Sequence, residues 1–247
     1  MTDTAIRIGM WAGPRNISTT MMRSFGNRPD TAVADEPFYA YYLRKSGADH
    51  PMRDAILGAL PQTFQGVVDM LNGPVPKGRS IYFHKHIAYH ASAKEDLPLD
   101  WIDGQRTFIL IRDPRAMVAS YAQKHDDVGP ILASLDVKAR IMDHLAAKGL
   151  PCPIVDAADV LRAPEPTLRI LCKALDIPFL EEMLSWPAGP CDGDGVWGDH
   201  WYDTVRQSTG FMPLKEEPVD LTPDLDALAQ TCMERYRELH GQRLLAA

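Results

Sequence analysis

The stretch that decides the fold lies near the start of the chain, where residues 5–12 are AIRIGMWA and residues 13–20 are GPRNISTT. The first segment is a short apolar run, typical of a buried strand, and Gly13-Pro14 ends it. The apolar spacing of residues 21–25 predicts a helix that Ser18 or a neighbouring threonine caps. The sequence therefore predicts a strand, a loop and a helix.

The same alternation recurs along the chain, with further strands predicted at residues 31–34, 80–84, 107–111 and 152–156. Helical stretches lie between them, so the crossovers are right-handed and the strands are mostly parallel. We expect an α/β fold: a P-loop-like three-layer sandwich with a central sheet of about five strands and helices on both faces. Ligands of such sheets bind at the carboxyl ends of the strands.

The last third of the chain has a different character. Residues 185–211 contain glycines, prolines and three tryptophans, which favours a long ordered loop over the site. Residues 225–239 have the spacing of an amphipathic helix. Because no repeat or long linker interrupts the sequence, we expect one domain over residues 1–247.

Composition restricts the partners. The formal net charge of -7 gives no global positive field, so neither a nucleic acid nor an anionic membrane is an expected partner. The four cysteines, which have no CxxC pair, are typical of reduced thiols. No signal peptide and no apolar run of about 18 residues is evident, so the expected location is the cytoplasm.

The loop after the first strand suits an anion, because the backbone N–H groups and the dipole of the next helix both favour negative charge there. A Walker A loop has a glycine and a lysine before its hydroxyls, whereas this loop has Asn16 and Ile17, with Arg15 earlier. A phosphate loop and an ordinary turn capped by Ser18 both fit these residues.

Residues 14–19, PRNIST, resemble the sulfate-side loop of sulfotransferases, commonly PKSGTT or PRSGST. The resemblance implies that this loop holds the 5′-phosphosulfate of 3′-phosphoadenosine 5′-phosphosulfate (PAPS). Ile17 stands where glycine is usual, which affects how closely the backbone approaches the phosphate. The candidate cofactor-binding residues here are Arg15, Asn16, Ile17, Ser18, Thr19 and Thr20.

A second element, residues 107–121, is TFILIRDPRAMVASY. Arg112 ends the predicted strand, and Ser120 follows about two helical turns later, which lets both face one ligand. The element resembles the family's RxPxxxxxS motif, which implies that Arg112 and Ser120 bind the nucleotide's 3′-phosphate. The alternative is that Arg112 pairs with Asp113 and Ser120 is an ordinary helix residue.

Two candidates for a catalytic base remain open. Residues 83–87, FHKHI, are expected after the third strand and resemble the lysine and histidine stretch of cytosolic sulfotransferases. That resemblance makes His86 the base, with Lys85 and Arg15 stabilising the bridging oxygen. Glu36 is the other base, since Glu36-Pro37 resembles an element of carbohydrate sulfotransferases.

The adenine side is less defined. Cytosolic sulfotransferases have an RKG element near the C-terminus, and Arg206 is its candidate replacement. Hydrophobic cover over the sheet is the favoured interpretation of the tryptophans.

The resulting functional hypothesis is a sulfotransferase that uses PAPS, a small-molecule hydroxyl or amine acceptor and no obligatory metal. One alternative is a P-loop kinase that uses ATP with Mg²⁺, which Asp35 would help to bind. Another is a non-catalytic nucleotide-binding accessory protein. The acceptor and the oligomeric state are not encoded in any recognisable pattern.

Overall fold

The computed structural model describes residues 5–92, 97–125, 127–214 and 220–246. Its five strands form one parallel sheet in the order β2-β3-β1-β4-β5. The predicted mostly parallel sheet of about five strands is therefore confirmed. The strands are β1 (Ile6–Ala12), β2 (Thr31–Asp35), β3 (Ile81–Ile87), β4 (Arg106–Ile111) and β5 (Ile154–Asp156).

Helices connect and cover the strands. They are α1 (Ser18–Gly26), α2 (Tyr39–Ser46), α3 (Arg53–Ala59), α4 (Phe64–Asn72), α5 (Pro114–Ala122), α6 (Gly129–Ala147), α7 (Ala157–Arg162), α8 (Pro164–Ala174), α9 (Gly198–Trp201), α10 (Asp203–Arg206) and α11 (Pro223–Gly241). Within the described ranges, none of these helices is long and apolar enough to cross a membrane.

Alternation along the strands builds two hydrophobic layers. Ile8 and Met10 of β1 pack on one face with α1, α2 and α8, whereas Trp11 packs on the other face with α4 and α6. Because successive side chains of a strand point to opposite faces, both layers follow from the same short apolar runs. The predicted three-layer α/β arrangement is confirmed.

The third strand is longer than predicted. The sequence interpretation ended it at His84, but β3 continues to Ile87 and pairs with β1 along its whole length. His84, Lys85 and His86 are therefore strand residues and not part of a loop. This changes their chemistry, because neighbouring strand residues lie on opposite faces of the sheet.

Residues 185–211 are ordered, as expected, and carry two short helices. An antiparallel bridge between Ser185 and Gly210 closes the segment, and α9 and α10 lie between these two ends. The predicted C-terminal amphipathic helix is α11. The segment packs against the face of the sheet that α1 covers, because Trp197 and Tyr202 belong to that hydrophobic layer.

Candidate functional site

A cavity of about 430 Å³ lies at the carboxyl edge of the sheet. Its walls include the loop after β1, the start of α2, the end of β3 with the turn that follows it, the residue after β4, the end of α5 and the segment that carries α9 and α10. This is the edge at which parallel α/β sheets bind ligands. The lining residues that the following paragraphs use are Arg15, Asn16, Ile17, Ser18, Thr19, Thr20, Glu36, Tyr39, Ile87, Tyr89, Arg112, Tyr121, His125, Trp201 and Tyr202.

The loop after β1 turns through two left-handed residues, Arg15 at φ 61° and Ile17 at φ 54°. Ile17 is the N-cap of α1 and no side chain caps the helix there, so Ser18 is the first helical residue and not the cap that the sequence predicted. Asn16 is buried and donates from Nδ2 to the Leu110 carbonyl at 3.2 Å, which anchors the loop on β4. The first N–H groups of α1 therefore have no side-chain cap, and Ser18, Thr19 and Thr20, which carry them, line the cavity.

Two arginines lie together beside this loop. Arg15 donates from Nε to Ser120 Oγ at 3.0 Å, and Arg112 donates from Nη1 to the Arg15 carbonyl. Among the described residues, no carboxylate forms an ion pair with either guanidinium. Burial lowers the pKa of Arg112, and the neighbouring charge of Arg15 lowers it further. The structure thus brings Arg15, Arg112 and Ser120 together in a cluster that favours an anion.

Arg112 does not pair with Asp113 in this arrangement, because Asp113 caps α5. Its carboxylate accepts from the Arg115 and Ala116 N–H groups at 2.9 and 3.1 Å. Pro114 occupies the first helical turn, where its missing N–H costs nothing. The cap fixes the start of α5 and leaves Arg112 at the end of β4.

Glu36 is a largely buried carboxylate that lines the cavity. It follows β2 with a left-handed backbone at φ 39°, and its N–H donates to the Lys85 carbonyl at 2.9 Å. Burial raises the pKa of Glu36, Lys85 opposes this shift, and the nearby Asp35 charge adds to it. A buried carboxyl with a raised pKa is suited to accept a proton near neutral pH.

Lys85 lies behind Glu36 and not on the cavity wall. Its ammonium donates to Glu36 Oε1 at 2.6 Å, Asp35 Oδ1 at 2.8 Å and Tyr202 Oη at 2.7 Å. Burial alone would lower the pKa of Lys85, but the two carboxylates outweigh it and hold the pKa above its usual range. The side chain is a charged, fully engaged support for Glu36.

Tyr202 completes this support from the distant segment. Its hydroxyl donates to Asp35 Oδ2 at 2.7 Å and accepts from Lys85 and from Trp197 Nε1, the latter at 3.1 Å. The Gly195 N–H also donates to Asp35 Oδ2, at 3.0 Å. Sequence reasoning missed Tyr202, because a single tyrosine in an irregular segment carries no motif.

The histidine candidate does not reach the cavity. His86 is 1% exposed and points to the opposite face of β3, where its ring stacks on Trp11 with centroids 4.1 Å apart. Burial places its pKa well below the usual value, so the ring is neutral. The expectation that His86 meets the transferring group is therefore corrected: the strand periodicity that places Lys85 behind Glu36 turns His86 away.

Arg206 also lies outside the cavity wall. It donates to Asp199 Oδ1 at 2.7 Å and contacts Asp194 Oδ2 at 3.4 Å, so its charge is used within the segment. An aromatic stack is present instead. Tyr121 stacks on His125 with centroids 4.3 Å apart, and His125 stacks on Trp201 at 5.4 Å. Trp201 thus lines the cavity, in contrast to the purely hydrophobic role expected for the tryptophans.

One cluster of potential metal ligands occurs within the described ranges. Ligand atoms of Asp100, Asp103 and His144 lie within 4.8 Å of one another. The ammonium of Lys148 contacts both carboxylates, and these residues do not line the cavity. The cluster is an ion-pair network, and it does not contribute to the candidate site.

Comparison with known proteins places these features in context. A family model described as a sulfotransferase domain matches residues 6–242. The chain is 37% identical over 234 residues to branched-chain-amino-acid aminotransferase-like protein 2 of Arabidopsis thaliana, covering 94% of this chain and 41% of that protein. It is 38% identical over 212 residues to the corresponding protein 1, covering 85% and 37%. The chain thus spans about two fifths of the length of these curated relatives.

Solved structures share the fold. A sulfotransferase from Alicyclobacillus acidocaldarius superposes with a TM-score of 0.56 at 12% identity, covering 96% of each chain. The sulfotransferase domain of the olefin synthase of Synechococcus PCC 7002 gives a TM-score of 0.54 at 16% identity, covering 93% of this chain and 95% of that one. These likenesses establish the architecture of the molecule.

Proposed function

Because this chain belongs to the sulfotransferase domain family, we propose that it transfers a sulfuryl group from PAPS to a hydroxyl or amine of a small acceptor. The observation that carries the proposal is the cluster of Arg15, Arg112 and Ser120 beside the uncapped start of α1. Two neighbouring guanidiniums repel each other, and an anion bound beside both offsets that repulsion. A nucleotide with phosphates at two positions can place one phosphate at the arginine cluster and the other at the start of α1.

The two phosphate positions are assigned as follows. Arg112 and Ser120 bind the 3′-phosphate, with the Arg15 guanidinium beside them. The N–H groups and hydroxyls of Ser18, Thr19 and Thr20 bind the 5′-phosphosulfate, where the helix dipole also favours negative charge. The hydrogen bond of Asn16 to β4 keeps this loop in register with Arg112.

Adenine is assigned to the aromatic stack of Tyr121, His125 and Trp201, since flat rings suit a purine. Arg206 is not part of this assignment, because its guanidinium is engaged with Asp194 and Asp199. The acceptor then occupies the side of the cavity that Tyr39, Ile87 and Tyr89 line near Glu36.

In the proposed reaction, Glu36 removes the proton from the acceptor as the acceptor atom forms a bond to sulfur. The bond between sulfur and the bridging oxygen breaks, and 3′-phosphoadenosine 5′-phosphate leaves with that electron pair. The α1 N-terminus stabilises the charge that develops on the departing phosphate. Lys85 acts on Glu36 and not on the bridging oxygen, because its three N–H bonds are already directed elsewhere.

The kinase alternative receives no support from the contacts. Asp35, its candidate magnesium ligand, is bound by Lys85, Tyr202 and the Gly195 N–H. Lys85 is likewise directed away from the phosphate loop, so it does not replace the missing Walker lysine. No obligatory metal is therefore included in the proposal, and one domain, a cytoplasmic location and no nucleic-acid partner complete it.

Replacement of each base candidate tests the proposal. Glu36→Gln should lower the release of 3′-phosphoadenosine 5′-phosphate from PAPS by about 10²- to 10⁴-fold, measured with a panel of phenols, alcohols and amines. The variant should still bind that product, because Glu36 is not assigned to either phosphate. His86→Gln is the matched control and should keep its turnover. The opposite pattern, with His86 essential and Glu36 dispensable, would reject the assignment.

A further inference from the structure

Glu36 and Asp35 are neighbouring carboxylates that share one ammonium. Lys85 lies 2.6 Å from Glu36 Oε1 and 2.8 Å from Asp35 Oδ1, and all three side chains are largely buried. Two ionised carboxylates against one ammonium would leave a net negative charge in a low-dielectric setting. Such a cluster takes up a further proton more readily than a free carboxyl does, and one of the two carboxylates must carry it.

The hydrogen bonds distinguish the two carboxylates. Asp35 Oδ2 accepts from the Tyr202 hydroxyl at 2.7 Å and from the Gly195 N–H at 3.0 Å. The Tyr202 hydroxyl also lies 3.5 Å from Glu36 Oε1, but its single proton is directed to the nearer Asp35 Oδ2. Glu36 Oε2 lies 3.7 Å from His90 Nδ1, beyond hydrogen-bond distance. Because donors stabilise the ionised form of a carboxyl, Glu36, which has fewer donors, is the member of the pair that takes up a proton.

We propose that Tyr202 and Asp35 are positioning residues that keep the exchangeable proton of this carboxylate pair on Glu36, the member that lines the cavity. This inference rests on the proposed function, in which Glu36 is the base. The Tyr202 hydroxyl donates to Asp35 and accepts the third N–H of Lys85. Lys85 therefore remains on Glu36 Oε1, and Oε2 is the oxygen that meets the acceptor's proton.

The segment that carries α9 and α10 thereby determines the state of the base. Asp194 pairs with Arg23 of α1 at 2.8 Å, with both side chains almost fully buried, and this ion pair holds the segment against α1. Tyr202 is delivered by the same segment to a carboxylate 167 positions earlier in the chain. A covering segment and a proton acceptor are in this way parts of one hydrogen-bond network.

The other titratable groups that face Glu36 remain uncharged. His90 lies on the turn after β3, and burial places its pKa well below the usual value. Burial and the charge of Glu36 both raise the pKa values of Tyr39 on α2 and Tyr89 on the turn. The carboxyl titration at this site is consequently assigned to Glu36.

Infrared difference titration of the protonated carboxyl stretch tests the inference without an acceptor, and Glu36→Gln assigns the signal. Tyr202→Phe removes a donor that stabilises the ionised carboxylates, so the midpoint of the carboxyl titration should rise by about one pH unit. Asp35→Asn removes the competing charge, so the midpoint should fall by about one unit or more. Should the tyrosine variant fail to fold, the Asp35→Asn shift still decides the question.

Tyr236→Phe is the matched control, because it removes a tyrosine hydroxyl that donates to another aspartate, Asp156, at 2.9 Å. It should leave the Glu36 midpoint unchanged. Shifts in the same direction for Tyr202→Phe and Asp35→Asn, or no shift in either, would overturn the inference.

Calorimetry with 3′-phosphoadenosine 5′-phosphate separates the two ways of failing. If the wild-type protein does not bind this product, the proposed function fails whatever the titrations show. If it binds the product and releases it from PAPS, but the midpoints do not move, only the positioning role is rejected.

Discussion

Acid should destabilise this protein through His84, a buried histidine that the proposed reaction does not use. His84 lies on β3 and is 0% exposed, and its ring meets that of Tyr82 in a T-shaped contact with centroids 4.5 Å apart. Burial lowers its pKa to about 3, an effect that the Gln105 amide only partly opposes. In the unfolded chain the imidazole titrates near pH 6.5. Between these values the unfolded state binds one more proton, so stability is full above pH 6.5 and falls as the pH drops towards 3.

The magnitude follows from the same numbers. Between pH 7 and pH 5, His84 alone should remove about 2 kcal/mol from the free energy of unfolding. Urea unfolding of the wild type and of His84→Gln at both pH values measures this, and comparing the pH-dependent difference in each protein cancels the packing loss of the substitution. The variant should lose about 2 kcal/mol less than the wild type over this interval. Equal losses in both proteins would show that His84 titrates normally in the folded state and would refute the reasoning.

Two further predictions concern the phosphate loop and the cysteines. At Ile17 the left-handed backbone favours glycine, although alanine is the better residue at ordinary positions. Urea unfolding should therefore give Ile17→Gly a free energy of unfolding about 1 kcal/mol higher than that of Ile17→Ala. An alanine variant as stable as the glycine variant would contradict the φ assignment. Of the four free cysteines, Cys191 is the exposed one and should be the single thiol that a disulfide reagent labels rapidly in the native protein. Fast labelling of the buried Cys172 or Cys232 would contradict this prediction and show that the hydrophobic layers around them open in the native protein.

The sheet was largely predictable because its strands are short apolar runs with sharp ends. Gly13-Pro14 marks the end of β1, and the capping Asp113 with Pro114 marks the start of α5. These signals are local, so a single sequence shows them. The same reason explains why Arg15, Arg112 and Ser120 were recognised: each lies in a motif next to a strand end. Their roles as ligands of the nucleotide remain predictions.

The base and its support were only partly predictable. The end of β3 was missed because the polar residues His84, Lys85 and His86 resemble a loop, although aromatic stacking buries one of them. The contact between Lys85 and Asp35 depends on their being register partners, which requires the order of the strands. Tyr202 meets Asp35 across 167 positions, a distance over which periodicity carries no information. Such contacts are set by tertiary packing and not by local propensity.

The most direct test of the central claim is calorimetric binding of 3′-phosphoadenosine 5′-phosphate to the wild type, Arg112→Ala and Arg106→Ala, with ATP plus Mg²⁺ as the competing ligand. Arg112 follows the carboxyl end of β4, whereas Arg106 lies at the amino end of the same strand and bonds Asp176, so it is a matched control. We predict metal-independent binding of the bisphosphate that Arg112→Ala weakens by about one to two decades and Arg106→Ala leaves unchanged. Preference for ATP with Mg²⁺, or equal affinity of the two arginine variants, would contradict the account.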